Sequence, residues 1–283
     1  MIAVMNREAK NTELENVVED RIPKKIHYVW MGGALKNELA LRCIESWKKY
    51  MPEYEIVEWN ESNFDIDKFN YTHEAYDQKK WAFVSDAVRT YALQKYGGVY
   101  FDTDIELFCP PGDIFQNADV VLGFDNRFLL STGAMAAVPQ HPVFQKLWSV
   151  YQTSHFLNAM NESTINTKLT YIVVDYLQTK RITDGKYFIN GVKLLPTQYF
   201  SNNNANDKTP AFAIHYFAGS WKAKTELTDF QYFFLRCQFA LLRLTSRFMG
   251  NKTYLTINDS IWRNALKTTL GNHQKGVKTN HVL

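Results

Sequence analysis

Cysteine is scarce in this chain of 283 residues. Cys43, Cys109 and Cys237 lie far apart. They form no C-x-x-C pair and no even-numbered framework, so a disulfide scaffold is excluded and a reducing compartment is expected. Long apolar runs are also missing. The most apolar stretch, FQYFFLRCQFALLRL at 230–244, is interrupted by Arg236 and Arg243. It falls short of the roughly 18 uncharged residues that a membrane-spanning helix needs. The opening MIAVMNREAKNTELENVVEDR has no basic stretch followed by an apolar one. A cytoplasmic protein, peripheral at most on the inner face of a membrane, is the expectation. Excess charge is lacking too. A net charge of +3 with 22% charged residues does not describe a nucleic-acid binder.

Apolar matter is plentiful, at 46% hydrophobic and 15% aromatic. That is enough for one large α/β domain or two small ones. The charge is uneven. From Trp221 onward ten Lys and Arg face three acids, +7, which leaves −4 for the rest. Such a basic C-terminal region suits an anionic surface such as a membrane, and equally a solvated helical face.

Apolar periodicity outlines the fold. KKIHYVW (24–30) reads as a strand stopped by Met31-Gly32-Gly33. Residues 36–50 have helical spacing, closed by Pro52, and YEIVEW (54–59) alternates like a strand. A second helix is predicted over 80–96. Gly97 and Gly98 follow as its cap, then the strand VYF. Strand–helix–strand–helix–strand argues for a mostly parallel sheet covered by helices. Ligands of such sheets bind beyond the carboxyl ends of the strands. DVVLGF (119–124), VKLLPTQYF (192–200) and FAIHYFAGSW (212–221) are later strand-like pieces, and 227–247 looks like an amphipathic helix.

Four features can carry chemistry. Asp102 and Asp104 in YFDTDIEL follow an apolar strand. In a continuous strand, residues two apart share a face. Two facing carboxylates are costly together unless a hard cation such as Mg²⁺ or Mn²⁺ lies between them. Such an ion can hold diphosphate oxygens and neutralise a departing nucleotide. Asp86 and Arg89 in FVSDAVRTYAL are neighbours on one helix turn. They form either a plain ion pair or a fork for a diphosphate. Trp30 closes the first strand before Gly32. It is either a core indole or a platform for a nucleobase beside a backbone open to close approach. His215 in AIHYFAGSW is either a buried hydrogen-bonded imidazole or a third metal ligand.

IPKKIHYVWMGG, WAFVSDAVRTYALQKYGGVYFDTDIELF and AIHYFAGSW together resemble the glycosyltransferases with a DXD-containing sugar-binding region. That group includes capsular and exopolysaccharide glycosyltransferases and yeast-type initiating mannosyltransferases. The chain is similar also to the glucosyltransferase domain of large clostridial toxins. The resemblance is dense over 22–108 and returns at 212–221. It implies a GT-A fold, with a catalytic domain at 22–225, a helical basic extension at 226–283 and a polar segment at 1–21. It implies a UDP- or GDP-linked sugar donor, a carbohydrate acceptor, Mn²⁺ or Mg²⁺, and retention of anomeric configuration. By resemblance, Trp30 stacks on the base with Gly32 beside it, and Asp86 and Arg89 contact donor sugar and phosphate. Asp102 lies near ribose, sugar and metal, and Asp104 binds the metal. Ser220 and Trp221 reach the diphosphate, and His215 completes the metal site. A capsule-building hexosyltransferase is the reading. The rivals are a non-enzymatic carbohydrate- or membrane-binding module using the basic C-terminal region, a toxin-like protein glycosyltransferase, and a phosphatase of the haloacid dehalogenase type. The latter's nucleophile motif is also an apolar strand followed by D-x-D, but it expects Thr or Ser soon after, where Ile105 and Glu106 stand.

Overall fold

The computed structural model describes residues 20–156, 164–200 and 212–218, with Gln238, Leu241, Thr253, Thr256, Ile257, Ser260 and Ile261 besides. Nine strands and five α-helices lie in these parts. The strands are β1 (Lys25–Val29), β2 (Glu55–Trp59), β3 (Gly98–Phe101), β4 (Ile105–Leu107), β5 (Val120–Phe124), β6 (Leu130–Ala137), β7 (Tyr187–Ile189), β8 (Val192–Leu195) and β9 (Ala213–His215). The helices are α1 (Glu38–Tyr50), α2 (Asn70–Asp77), α3 (Trp81–Tyr96), α4 (Pro142–Thr153) and α5 (Ile165–Tyr176).

Seven strands form one sheet in the order β2-β1-β3-β6-β5-β8-β7. β6 and β7 run against the other five, so the sheet is mostly parallel, as the strand–helix alternation predicts. β4 and β9 pair separately as a small antiparallel sheet. The main sheet divides the core. Residues of α2, α3, α4 and α5 pack on one face, and α1 with the small sheet packs on the other.

Each helix meets the sheet for a legible reason. Asn37 caps α1 by accepting from the Ala40 N–H, and Glu38 and Lys48–Lys49 suit its two ends. Its buried stripe of Ala40, Cys43, Ile44 and Trp47 repeats at helical spacing. α3 buries Val84, Ala87, Val88, Ala92 and Leu93. Gly97 ends it with φ of +64°, a conformation glycine adopts without strain. α5 does not announce itself. Half of INTKLTYIVVDY is β-branched, which favours a strand locally. The Thr164 cap and burial of Ile165, Leu169, Val173 and Val174 make it a helix. α2 was also not predicted. The helix expected over 227–247 and the domain division at 225/226 fall largely outside the described residues.

One expectation fails locally. The strand does not continue through the acids. β3 stops at Phe101, and residues 102–104 form a turn in which the Ile105 N–H donates to the Asp102 carbonyl. β4 then leaves to pair with β9. The face-sharing of a strand therefore does not bring Asp102 and Asp104 together; the turn does.

β1 itself carries a buried histidine. His27 accepts from the Trp59 indole N–H at Nδ1 (3.1 Å) and donates from Nε2 to the Gly97 carbonyl (2.8 Å). Burial pushes its pKa down to about 4, against the Gly97 hydrogen bond and with help from the Lys25 charge. The unfolded chain therefore binds a proton, from pH 6.5 downward, that the folded chain refuses until about pH 4. His27 contributes its full stability above pH 6.5, and loses it as pH falls through that window. The loss is about 3 kcal/mol over the whole range. Urea unfolding near pH 7.5 and pH 4.5 is expected to show wild type losing about 2 kcal/mol more than His27→Gln across this interval. Equal losses would contradict the assignment.

Candidate active site

The carboxyl ends of β1, β3 and β5 meet at one edge. β1 and β3 pair Ile26 with Val99 and His27 with Tyr100, and continuing that register brings Trp30 level with the turn at 102–104. β5 ends in Phe124, and Asp125 follows it. Trp30 and the acids thus share the rim where the sequence expects a ligand.

Asp102, Asp104 and His215 converge there. One ligand atom from each lies within 4.8 Å of the others. His215 arrives on β9, whose pairing sets Ile105 opposite His215. The His215 Nε2 stands 3.2 Å from Asp104 Oδ1, and the Ala218 N–H donates to Asp104 Oδ2 at 2.8 Å. Burial disfavours the Asp104 charge, but the His215 hydrogen bond and charge and the Ala218 N–H outweigh it, and the carboxyl pKa is lowered. For His215 burial works against protonation. Asp104 first, then Asp102 and Asp125, reverse this and raise its pKa. Asp125 is an acid of this site that the sequence reading passed over. Only its place at the end of β5 could have signalled it.

α1 braces this corner from the other face. The Trp47 indole donates to the Ile105 carbonyl (2.8 Å), and Ser46 Oγ accepts from the Leu107 N–H (2.9 Å). Glu106 accepts from Arg42 and from the Tyr216 hydroxyl (3.1 and 2.6 Å). β4 and β9, which carry Asp104 and His215 to the site, are pinned at both ends of the pair.

Arg89 points inward. Its side chain is 7% exposed. One terminal nitrogen donates to the Thr132 carbonyl at 2.9 Å, and the other stands 3.1 Å from Asp102 and 3.4 Å from Asp86. The Ser85 carbonyl and hydroxyl take further N–H groups, and the guanidinium lies 4.6 Å from the centre of the Tyr100 ring. Burial opposes the Arg89 charge, yet Asp102, Tyr100 and Asp86 overcome it and raise the pKa further. Tyr100 in turn donates to Asp102 at 2.8 Å. Asp102 is thus held between a guanidinium and a phenol. The intrahelical pair of Asp86 and Arg89 exists, but its larger effect is to aim the guanidinium at Asp102.

The floor of the site belongs to β6. Between Leu122 and Phe124 on β5, β6 moves from Met135 to Leu130, a bulge spanning 131–134. Bulges re-aim residues beside active sites. Here the bulge sets Gly133 directly under the cluster. A Cβ at Gly133 would lie 2.9 Å from His215 Cε1 and 3.1 Å from both Asp102 Oδ2 and His215 Nδ1. His215 Nδ1 is buried with no hydrogen-bond partner among the described residues. Two donor atoms therefore converge on a space that only a glycine leaves open. Two carboxylates and an imidazole suit a hard-to-borderline dication, and Mn²⁺ or Mg²⁺ fits this donor set.

Around Trp30 the picture differs in detail. The indole is half-buried and donates to the Ala34 carbonyl at 2.6 Å, with the Lys36 ammonium 5.7 Å from its ring centre. Gly32 does allow a close approach, but the Trp81 ring makes it: a Cβ there would lie 2.8 Å from that indole. The Gly32 N–H donates to Glu61. Ser220 and Trp221 lie outside the described residues.

Residues 37–121 match the family described as the glycosyltransferase sugar-binding region containing a DXD motif. The matched stretch contains Asp86, Arg89, Asp102 and Asp104, and the chain thus carries a glycosyltransferase region. Inositol phosphoceramide mannosyltransferase 1 of Schizosaccharomyces pombe is 25% identical over 153 residues, which are 50% of this chain and 44% of that protein. The match therefore spans less than half the length of that relative. Two solved structures share weaker likeness. PaToxG glycosyltransferase has a TM-score of 0.43 at 17% identity over 56% of this chain and 70% of its own. A glycosyltransferase involved in the glycosylation of the major capsid of PBCV-1 has 0.34 at 12% identity over 61% and 82%.

Proposed function

We propose that this chain is a metal-dependent, retaining glycosyltransferase of GT-A type. It moves a hexosyl group from a UDP- or GDP-linked sugar to a carbohydrate acceptor, in the cytoplasm, in bacterial capsular or exopolysaccharide synthesis. The observation that carries this reading is the convergence of Asp102, Asp104 and His215 over Gly133, at the strand ends of a region that matches a DXD glycosyltransferase family.

Asp102, Asp104 and His215 would hold the dication. Bound there, it would supply Lewis-acid neutralisation of the leaving nucleoside diphosphate. The chain's own residues do the positioning. Tyr100 and Arg89 fix the Asp102 carboxylate, and His215 and the Ala218 N–H fix that of Asp104. Arg89 is a positioning residue, because its donors are spent inside the protein. Trp30, on the same rim, offers a ring to the base. Retention follows if the acceptor hydroxyl attacks from the face the diphosphate leaves, with the leaving phosphate taking the proton. That route asks for no protein nucleophile.

A thermal-shift screen tests the proposal. UDP and GDP sugars are expected to raise the unfolding temperature in the presence of Mn²⁺ and much less with EDTA. A tenfold excess over Kd corresponds to about 1.4 kcal/mol of stabilisation. Stabilisation by no nucleotide sugar, with or without the metal, would remove the reading.

A further inference from the structure

Two residues beyond His215 the backbone is strained. Phe217 has a φ of +49°, a left-handed conformation that a bulky side chain rarely adopts. Asp104 explains the bend. The Tyr216 N–H donates to the Asp104 carbonyl at 3.0 Å, and the Ala218 N–H donates to the Asp104 carboxylate at 2.8 Å. The chain on both sides of Phe217 is therefore wrapped around one residue of the cation cluster. Glycine would make the same bend without strain and keep both hydrogen bonds. The bend accounts for the backbone conformation and leaves the phenyl ring unexplained.

The ring has a defined seat. It stacks on the His215 imidazole, with ring centres 4.0 Å apart and planes 25° from parallel. It is 36% exposed and belongs to none of the apolar clusters formed by the described residues. Strain kept at a residue that adds nothing to the core points to a role in the site. Neighbouring rings have other commitments. Tyr216 is also exposed, but its hydroxyl donates to Glu106 and the Arg42 guanidinium lies 5.1 Å from its ring centre. Trp30 donates to Ala34 and carries the Lys36 ammonium near its ring.

The two substrates of a glycosyl transfer differ in charge. A nucleotide sugar is anionic, and a dication on the acids serves it. An acceptor sugar is neutral. One face of its pyranose ring carries C–H bonds with slight positive charge, which suit the negative face of an aromatic ring. A phenyl ring fixed on His215 offers such a face beside the cluster.

We infer that Phe217 is the platform on which the acceptor, a hexopyranoside, stacks by its C–H face. This rests on the glycosyltransferase reading above. His215 fixes the ring from one side, and the two N–H groups held by Asp104 fix its backbone, so the platform is set before the acceptor arrives.

The test uses UDP-glucose, UDP-galactose and GDP-mannose as donors with Mn²⁺. Methyl α-mannoside, methyl β-glucoside and methyl β-galactoside are the acceptors, and the disaccharide product is followed by mass spectrometry. For the pair that wild type uses, Phe217→Gly is expected to lower kcat/KM for the hexoside about tenfold, and Phe217→Tyr to stay within about twofold. Calorimetry should find the affinities of both variants for Mn²⁺ and for UDP or GDP within about twofold of wild type. An unchanged kcat/KM for the hexoside in Phe217→Gly would overturn the inference. So would a loss matched by equally weaker Mn²⁺ binding, because the ring would then only brace His215. Wild type that hydrolyses a donor but glycosylates none of the hexosides would also overturn it, with the transferase reading intact. Wild type that neither hydrolyses nor transfers from any of the three donors would overturn both.

Discussion

Replacing Asp104 with asparagine is expected to lower donor consumption at least 10³-fold, about 4 kcal/mol of transition-state stabilisation, with the fold intact. Asparagine has the same shape. Its carbonyl oxygen can still accept the Ala218 N–H, so the turn at 102–104 and the pairing of β4 with β9 have no reason to move. What disappears is a negative charge facing His215 and any dication. The lost charge weakens the metal directly, and it also removes the group that does most to offset burial of the His215 proton. Mn²⁺ titration followed by electron paramagnetic resonance separates the two effects. The variant should fail to take up Mn²⁺ at concentrations that saturate wild type, while its circular dichroism is unchanged. Full activity, or Mn²⁺ uptake equal to wild type, would contradict the site as drawn.

Arg89→Met is expected to cost about 3–5 kcal/mol of folding stability, which corresponds to a fall in melting temperature of roughly 10 °C. The size follows from what is left behind. Asp102 and Asp86 would remain in a partly buried corner without the guanidinium that stands 3.1 and 3.4 Å away. The Thr132 carbonyl would lose its donor as well. An exposed ion pair of the same residue types would cost a few tenths of a kcal/mol. The measurement thus decides between an ordinary helix pair and an inward-turned clamp. The double variant Arg89→Met/Asp102→Leu should regain part of the lost stability, since removing both charges is far cheaper than stranding one. It should not regain activity. A loss under about 1 kcal/mol in the single variant would show that the clamp is absent in solution.

Much of this was legible because it is local. α1 and α3 carry their apolar faces at helical spacing, and Gly97 marks where α3 must stop. β1 and β2 are β-rich runs bounded by turn residues. Asp102 and Asp104 stand out as charges after an apolar strand, and the family's motif lies around them. Less was legible where neighbours in space are remote in the chain. α5 reads like a strand, because β-branched side chains say little about which surface will bury them. Thr132, Gly133 and Asp125 carry no motif. Gly133 matters because of atoms on residues 102 and 215.

By itself the sequence determined the class of the fold, the strand ends at which a ligand would sit, and the residue types able to hold a dication there. Those follow from period, turn chemistry and carboxylate repulsion, all of which act within a few residues. Only the tertiary structure decided that the acids meet through a turn, that Arg89 faces inward to Asp102, and that His215 arrives on a second sheet above a glycine. Pairing of β4 with β9 and the bulge in β6 are contacts between distant segments, and no local preference encodes which side chains such contacts will bring face to face.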